Sequence, residues 1–386
     1  MRIGIFTNCY HPMVNGVVGA VSLLRKGFIE SGQEVYVFAP GFEDFQDEEE
    51  GIFRYPAIDL TRKVKYPVAI PFSPRIQRII AGLKLDLLHS HHPFVLGPVA
   101  LRIARRRKVP VIYTFHTQYD QYTHYLPLPG SFVRWVTRRQ VKRFSQAVNQ
   151  VTTPSESARQ ILLGYGVTNP IRVIPNPVDL SRFPGKDGAA IRQEYHLGAE
   201  KLLINIGRIA PEKNLGLLLH SFRAMLLKTA PGSLKLMIVG DGPELNNLIR
   251  LAGNLDLKDQ VIFTGLVEPE RVPHYLAAAD LFVMTSTTEV KPLAQLEALA
   301  SGLPIVAVRA AGANDTIIHG ENGLLVPEKI GAISEAVLNL IFDEQRYRDF
   351  QKKARLTAAG YSYPKIAGEY LSLFRQVLAG YQSDRR

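Results

Sequence analysis

The chain has 386 residues, of which 46% are hydrophobic and 21% are charged, and its formal net charge is +11. This length predicts two domains of ordinary size, and the composition is typical of a soluble globular protein and excludes a fibrous or disordered one. Because Cys9 is the only cysteine, no disulfide can form within the chain, which fits a reducing cytoplasm. The first residues are too short an apolar run for a signal peptide, and no run approaches the roughly 20 apolar residues that span a bilayer.

Strand and helix patterns alternate along the chain, which predicts parallel sheets covered by helices. The elements predicted for residues 1–180 are strands at 2–7, 34–39, 85–89, 109–114 and around Val151, with helices within 16–31 and at 97–107. Prolines and a glycine interrupt the pattern within residues 176–199, so a second domain is predicted over residues 200–361. Helical periodicity returns in residues 362–382.

Positive charge is concentrated in the first half of the chain. Residues 61–160 hold 17 Lys and Arg but 3 Asp and Glu, whereas residues 181–386 hold 24 against 22. Clustered cations attract polyanions, so we expect the first domain to face an anionic membrane or a nucleic acid. Each cation near an anionic leaflet contributes about 1 kcal/mol to binding.

Two predicted strand-to-helix junctions of the second domain combine glycine with charge. The run L-L-I-N-I-G-R-I-A-P-E-K-N at 202–214 places Arg208 and Lys213 on either side of a turn. Two cations there can bind a diphosphate, although such a pair is often simply exposed to solvent. The run L-K-L-M-I-V-G-D-G-P-E at 234–244 predicts a second turn, whose glycines let the backbone approach a ligand closely.

A third junction carries two glutamates, eight positions apart. Residues 281–284 predict a buried strand, and a helix is predicted from near Pro292 to Gly302, since proline suits a first turn and glycine an end. Glu289 then lies in the loop, and Glu297 lies one to two turns into the helix. A helix N-terminus suits a phosphate, so the two carboxylates could hold opposite ends of a sugar nucleotide. Two solvated surface glutamates are the alternative.

These motifs resemble those of the retaining nucleotide-sugar glycosyltransferases of family 4, and in particular the bacterial glucosyldiacylglycerol synthases. The resemblance rests on G-R-I-A-P-E-K-N, V-G-D-G-P-E, the E-x7-E pair followed by A-L-A-S-G-L-P, and the opening M-R-I-G-I-F-T-N-C-Y-H-P-M-V-N-G-V-V. It covers nearly the whole chain. It implies the GT-B fold, an α/β architecture of two doubly wound Rossmann-like domains with a cleft between them. It also implies that the C-terminal segment, residues 362–386, crosses back to the N-terminal domain as a helix.

The resemblance also implies roles for individual residues. Arg208 and Lys213 match the cations that clamp the diphosphate and stabilise its charge during catalysis, with no metal ion or cofactor. Glu289 matches a glutamate beside the donor sugar, and Glu297 matches the one that holds the ribose hydroxyls. His116 matches an active-site histidine at the donor sugar, although a lone histidine after a strand is more often structural.

Further donor contacts are implied at Gly16, Asp241, Val267, Lys291 and Leu293. Gly16 either lets the backbone reach a phosphate or acceptor, or simply begins a helix. The chain departs from the family at 290–293, where V-K-P-L replaces a Gly-Phe-Gly-like stretch. Because Pro292 has no N–H to donate, the donor sugar is left open. Asn314-Asp315 is a second departure, since many relatives have Pro-Glu there.

The acceptor is predicted from a basic, aromatic segment at 132–144. Its cations at helical spacing are Arg134, Arg138, Arg139, Lys142 and Arg143. Its apolar members, Phe132, Trp135, Val136 and Phe144, are expected to supply the surface of a membrane-interface helix. A helix packed on the core with a solvated basic face is the alternative. Upstream, Tyr119, Tyr122 and Tyr125 could line an acceptor mouth or pack the domain.

We therefore expect transfer of a hexose, with UDP-glucose as the first choice of donor, to a membrane lipid such as diacylglycerol at the inner face of the membrane. A soluble or anionic acceptor, or a GDP-mannose or UDP-galactose donor, is the alternative. A nucleic-acid-binding protein is the third hypothesis. The sequence contains no recognised nucleic-acid-binding motif, which argues against it. We interpret His89, His91 and His92 as lining of a cleft, because no C-x-x-C, H-E-x-x-H or D-x-D motif indicates a metal site.

Overall fold

The computed structural model describes residues 1–59, 67–121 and 129–383, which divide into two compact units. The first unit is Met1–Pro177 with the C-terminal segment from Tyr363, and the second is Val178–Ser362. Each is built on a parallel sheet, so the predicted α/β class is confirmed. Residues 181–199, which the sequence prediction left between the domains, belong to the second unit.

The described part of the first unit contains a seven-stranded parallel sheet in the order β3-β2-β1-β6-β7-β8-β9 and a separate antiparallel pair, β4-β5. The strands are β1 (Arg2–Phe6), β2 (Glu34–Pro40), β3 (Ile52–Tyr55), β4 (Ala57–Asp59), β5 (Pro67–Ala69), β6 (Leu87–Ser90), β7 (Val111–Thr114), β8 (Gln150–Thr153) and β9 (Ile171–Val173). The helices between them are α1 (Gly16–Glu30), α2 (Pro74–Gly82), α3 (Leu96–Arg107), α4 (Gly130–Ala147) and α5 (Glu156–Gly164). Cys9 is buried.

The second unit contains a six-stranded parallel sheet in the order β12-β11-β10-β13-β14-β15. Its strands are β10 (Lys201–Ile206), β11 (Leu234–Val239), β12 (Val261–Gly265), β13 (Leu281–Met284), β14 (Ile305–Val308) and β15 (Gly323–Val326). Its helices are α6 (Ala189–Glu194), α7 (Leu215–Leu226), α8 (Leu245–Asn254), α9 (Val272–Ala278), α10 (Leu293–Ala300), α11 (Ala311–Asn314), α12 (Ile330–Ile341) and α13 (Glu344–Ala359).

Both faces of this second sheet are buried. Leu203 packs into one hydrophobic cluster, whereas its neighbours Leu202 and Ile204 pack into another on the opposite face. Strands buried on both faces read as continuous apolar runs, which explains the pattern L-L-I-N-I in β10.

The last helix, α14 (Tyr363–Ser383), returns to the first unit and packs on α1. The two helices approach closely at Gly27, where an added Cβ would lie 2.6 Å from the Cβ of Ala367. Phe374 of α14 adds a ring contact with Phe28 at a centroid distance of 5.5 Å. Among the helices of the described ranges, none is both long enough and apolar enough to cross a membrane.

The order of strands reverses beside the first strand of each sheet. In the second unit this point lies between β10 and β13. Loops leave the carboxyl ends of such neighbouring strands in opposite directions, so a ligand crevice forms there in open α/β sheets. The loop after β10 carries Arg208 and Lys213, and the loop after β13 carries Glu289. The topology therefore brings the predicted charged residues to one place.

Candidate functional site

The loop after β10 is shaped by backbone conformations that a helix cannot use. Gly207 has φ +151°, a short 3-10 helix covers Pro211–Lys213, and Asn214 is left-handed with φ +51°. Helix α7 therefore begins at Leu215. Arg208 is exposed, and its guanidinium donates to the nearly buried carboxylate of Glu212 at 2.7 Å.

The glycines of the turn after β11 lie against the protein's own backbone. An added Cβ on Gly240 would lie 2.0 Å from the carbonyl oxygen of Gly207, and one on Gly242 would lie 2.2 Å from that of Ile209. The sequence interpretation assigned these glycines to close approach of a ligand. The structure gives them another necessity, because any side chain would push the β10 and β11 loops apart.

Two buried hydroxyls join the loop after β13 to the loop after β10. Thr285 Oγ1 donates to the carbonyl oxygen of Lys213 at 3.0 Å, and Ser286 Oγ donates to that of Glu212 at 2.9 Å. Sequence reasoning predicted a loop here but missed the role of these two hydroxyls. The two bonds fix the position of Lys213 relative to the second loop.

Lys213 and Glu289 form an ion pair across the switch point, with the ammonium donating to Glu289 Oε1. Both side chains are mostly but not fully buried. The backbone of Glu289 also packs directly against Gly312, where an added Cβ would lie 2.7 Å from the Glu289 carbonyl oxygen. With Arg208 and Glu212, the crevice thus presents two cations, each held by a carboxylate.

Glu297 lies one turn into α10. Arg182 Nη1 lies 3.8 Å from Glu297 Oε1. Burial raises the pKa of the Glu297 carboxyl, and the charge of Arg182 opposes that shift only in part. The Arg182 guanidinium also donates to the carbonyl oxygen of Pro269. The sequence analysis missed Arg182; its nearest signal is the preceding I-P-N-P-V-D segment.

Three further predicted donor residues of this unit lie in the loops after β11 and β12 and at the start of α10. Asp241 is exposed, and its carbonyl oxygen accepts from the Ile209 N–H at 2.8 Å. Val267, after β12, and Leu293, the first residue of α10, are half-buried against the same hydrophobic cluster. Their contacts with a donor stay a prediction.

Lys291 is buried, with 6% of its surface exposed, and brings the two departures from the family pattern together. Its ammonium donates to the carbonyl oxygen of Asp315 at 3.2 Å and lies 4.5 Å from the ring centroid of Tyr361. Burial lowers the pKa of Lys291 to about 8, although the charge of Asp315 opposes the shift. The side chain therefore links the Glu289 loop to the segment after α11.

We expect Lys291→Met to raise the free energy of unfolding at pH 7 by about 1–3 kcal/mol. Between the folded-state pKa of about 8 and the ordinary value of 10.5, the unfolded chain binds more protons. The free energy of unfolding of the parent therefore rises as the pH increases from about 8 to 10.5. The Met variant should be more stable than the parent at pH 7, and this difference should vanish near pH 10.5. Urea unfolding at several pH values measures this, with the exposed Lys352→Met as control. An advantage of Met that does not change with pH would contradict it.

His116 lies two residues beyond β7 in the first unit, and its Nε2 lies 2.8 Å from Nδ1 of His91. Burial lowers the pKa of His116 to about 4. Gly16 begins α1, with the Asn15 side chain accepting from the N–H groups of Val17 and Val18. Beyond its own chain neighbours and helix backbone, no atom of the described residues lies within 4 Å of an added Cβ on Gly16, so the described part of the fold does not require glycine there.

The other two histidines of H-S-H-H-P form hydrogen bonds within the protein. His89 Nε2 lies 2.7 Å from Thr114 Oγ1, and His92 Nδ1 accepts from the Asn8 N–H at 3.1 Å. Burial lowers the pKa of each to about 3. In the described ranges, no group of three or more His, Cys, Asp or Glu side chains is arranged to hold a metal ion.

Helix α4 has features of both alternatives predicted for the basic segment, because one face exposes cations and aromatic rings and the other packs on the core. Its cations Arg134, Arg138, Arg139 and Arg143 are exposed, with Lys142 half-buried. Phe132, Trp135 and Val136 are exposed as predicted, with Trp135 58% accessible. Phe144 was wrongly placed on this surface: it is buried and packs edge-on against Tyr113, since it shares the inward stripe with Val133 and Val141.

A shallow cleft of about 390 Å³ lies along α4 and is lined by Ser131, Arg134, Trp135, Arg138, Arg139, Lys142 and Tyr165. Beneath it, the buried carboxylate of Asp120 accepts from Arg138 at 2.8 Å and from the Tyr165 hydroxyl. Tyr119 packs edge-on against Phe94. Tyr122 and Tyr125 lie outside the described residues.

Two protein-family models match the chain. The model described as Glycosyltransferase Family 4 matches residues 14–182, and the one described as Glycosyl transferases group 1 matches residues 188–357. Together they span most of both units. The predicted family resemblance is confirmed.

The chain is similar to several characterised proteins along most of its length. It is 35% identical to the alpha-monoglucosyldiacylglycerol synthase of Streptococcus pneumoniae, covering 88% of this chain and 78% of that protein. The synthase of the same name from Acholeplasma laidlawii is 31% identical, with 84% of each chain covered. A GDP-mannose-dependent alpha-mannosyltransferase of Corynebacterium glutamicum is 29% identical, with 98% and 90% covered.

Solved structures share the fold. A sucrose-phosphate synthase from Thermosynechococcus elongatus superimposes with a TM-score of 0.82 at 21% identity, covering 98% of this chain and 99% of that one. The Anabaena protein HepE, solved in complex with UDP, gives a TM-score of 0.78 at 18% identity, with 97% and 100% covered. The predicted architecture of two Rossmann-like halves is thus confirmed.

Proposed function

The chain belongs to the GT-B glycosyltransferases that join a family 4 half to a group 1 half, and from this premise we propose that it transfers a hexose with retention of anomeric configuration and without a metal ion. The donor is a nucleoside diphosphate sugar, and the acceptor is a lipid hydroxyl. One observation carries this proposal: Arg208, Lys213 and Glu289 converge at the switch point between β10 and β13.

Fixed cations suit the charge that develops during this reaction. The acceptor oxygen bonds to the anomeric carbon as the bond from that carbon to the diphosphate breaks, and the acceptor proton passes to the leaving diphosphate. Arg208 and Lys213 neutralise the growing negative charge at the diphosphate. Because carboxylates already orient both cations, little reorganisation is needed when the donor binds. For His116 we propose the role that the family resemblance implies, a contact with the donor sugar.

UDP-glucose is the proposed donor. Its glucose fits the names of the two synthases that the chain resembles at 35% and 31% identity, whereas the mannosyltransferase relative supports GDP-mannose as the alternative. UDP-galactose remains the other alternative. A panel of sugar nucleotides, each incubated with diacylglycerol vesicles and followed by product mass spectrometry, tests the choice. A glycolipid formed only from UDP-glucose supports the proposal, and turnover with GDP-mannose alone would replace it.

Helix α4 supports a membrane lipid, such as diacylglycerol, as the acceptor. Exposed aromatic side chains beside arginines suit the interface of an anionic bilayer, where the rings enter the headgroup region and the cations meet phosphates. We place the enzyme peripherally on the inner face of the membrane. A soluble or anionic acceptor is the alternative, and product formation with water-soluble acceptors in the absence of vesicles would favour it.

Glu297→Ala should weaken UDP binding about 10- to 100-fold, because a carboxylate hydrogen bond to a ribose hydroxyl contributes about 1.5–3 kcal/mol. Isothermal titration with UDP measures the loss. Glu268→Ala removes an exposed glutamate from the same unit and serves as control. Unchanged affinity in the Glu297 variant would remove this residue from the nucleotide site.

A further inference from the structure

Two histidines of the first unit share a hydrogen bond between their rings. His91 directly follows β6, and His116 follows the neighbouring parallel strand β7. His91 Nδ1 and His116 Nε2 are 2.8 Å apart, and the ring planes differ by 19°. The register of the two strands therefore fixes both rings with respect to each other.

Only one proton can lie between these two nitrogens. Burial lowers the pKa of His116 to about 4 and that of His91 well below its usual value, with nearby histidines adding to the shift for His91. Both rings are therefore neutral near neutral pH, and each carries a single proton. One ring must donate and the other must accept.

The far nitrogen of His91 decides which ring donates. His91 is fully buried, and its Nε2 has no hydrogen-bond partner among the described residues. If His91 accepted at Nδ1, its own proton would lie on Nε2 as a buried donor without a protein partner. If it donates from Nδ1, Nε2 is a bare acceptor. Among backbone groups, unpaired buried N–H donors are rarer than unpaired buried acceptors. By the same reasoning we assign the bare acceptor to His91 Nε2.

We propose that His91 is a positioning residue that donates its Nδ1–H to His116 Nε2 and thereby fixes His116 in the Nδ1–H tautomer. The other ring nitrogen of His116, Nδ1, then carries a proton, so it can donate a hydrogen bond to a ligand but cannot act as a base. This inference rests on the proposed function, in which His116 contacts a hydroxyl of the donor sugar. A sugar hydroxyl would accept from Nδ1–H, so the tautomer sets the direction of that bond.

Nuclear magnetic resonance tests the tautomer without any donor present. Long-range ¹H–¹⁵N correlations of the protein labelled at histidine, with His116 assigned from the His116→Gln variant, show which ring nitrogen carries the proton. We expect Nδ1 of His116 to be protonated and Nε2 to be unprotonated. A proton on His116 Nε2 overturns the proposal. Because this readout needs no turnover, failure of the proposed function would leave it intact.

A set of variants tests the consequence for catalysis. His91→Asn can still donate from an amide near the former Nδ1, whereas His91→Asp can only accept and favours a protonated His116. We expect Asp to lower kcat/KM at least tenfold and to add a pH dependence, while Asn stays within about threefold of the parent. His89→Asn removes a buried imidazole that bonds to Thr114, not to His116, and controls for packing. Equal activity of the Asn and Asp variants, with the same pH profile, contradicts the proposal.

Discussion

Arg208→Ala should lower kcat about 10²-fold or more while changing the KM for the nucleotide sugar little. The guanidinium is exposed at the end of β10 and is oriented by Glu212. Its charge matters most when negative charge grows on the leaving diphosphate, so its loss affects the transition state more than the ground state. Steady-state kinetics with the donor identified by the screen measure both constants.

Lys213→Ala should cause a loss of similar size, and it also releases Glu289 from its ion pair. Lys228→Ala is a matched control, since it removes an exposed cation of the same unit whose carboxylate partner, Glu335, is 3.8 Å away. Unchanged kinetics in both the Arg208 and Lys213 variants would refute the site assignment.

Replacing Arg134, Arg139 and Arg143 of α4 with glutamine should reduce binding to anionic vesicles about 10²-fold at low salt. Three cations at about 1 kcal/mol each account for this factor, and added salt should weaken the parent in the same direction. Arg138 is left in place because it pairs with the buried Asp120. Vesicle flotation with and without anionic lipid measures the partition.

The matched control for that surface is the triple change of Arg348, Lys352 and Lys353 to glutamine on α13. It removes the same charge from exposed positions of the other unit. Vesicle binding that is absent in the parent, or equal in the two triple variants, would contradict a membrane role for α4. Transfer to a soluble acceptor would then be favoured.

Much of the donor half follows from local patterns. The apolar run in β10, the proline and glycine that bound α10, and the parallel-sheet rule together place Arg208, Lys213 and Glu289 at carboxyl ends of strands. Their proximity depends on β10 and β13 being neighbours in the sheet. Hydrophobic periodicity does not determine the order of strands. The ion pair between Lys213 and Glu289 was therefore not predicted.

Other features depend on packing between distant segments. Gly240 was assigned to a ligand, yet the Gly207 carbonyl already occupies the space of a side chain there. The departures at Lys291 and Asp315 were recognised separately, and only the fold shows that they touch. Phe144 was grouped with the exposed aromatics by residue type, yet its helical spacing from Val133 is about three full turns, which places it on the inward stripe of α4.

A crystal structure of the enzyme with bound UDP-glucose tests the central claim most directly. We predict that diphosphate oxygens lie within hydrogen-bond distance of the Arg208 guanidinium and the Lys213 ammonium, with the ribose hydroxyls at Glu297 and no cation between protein and phosphate. A diphosphate bound away from the β10–β13 crevice, or held there through a coordinated divalent metal, would contradict the account.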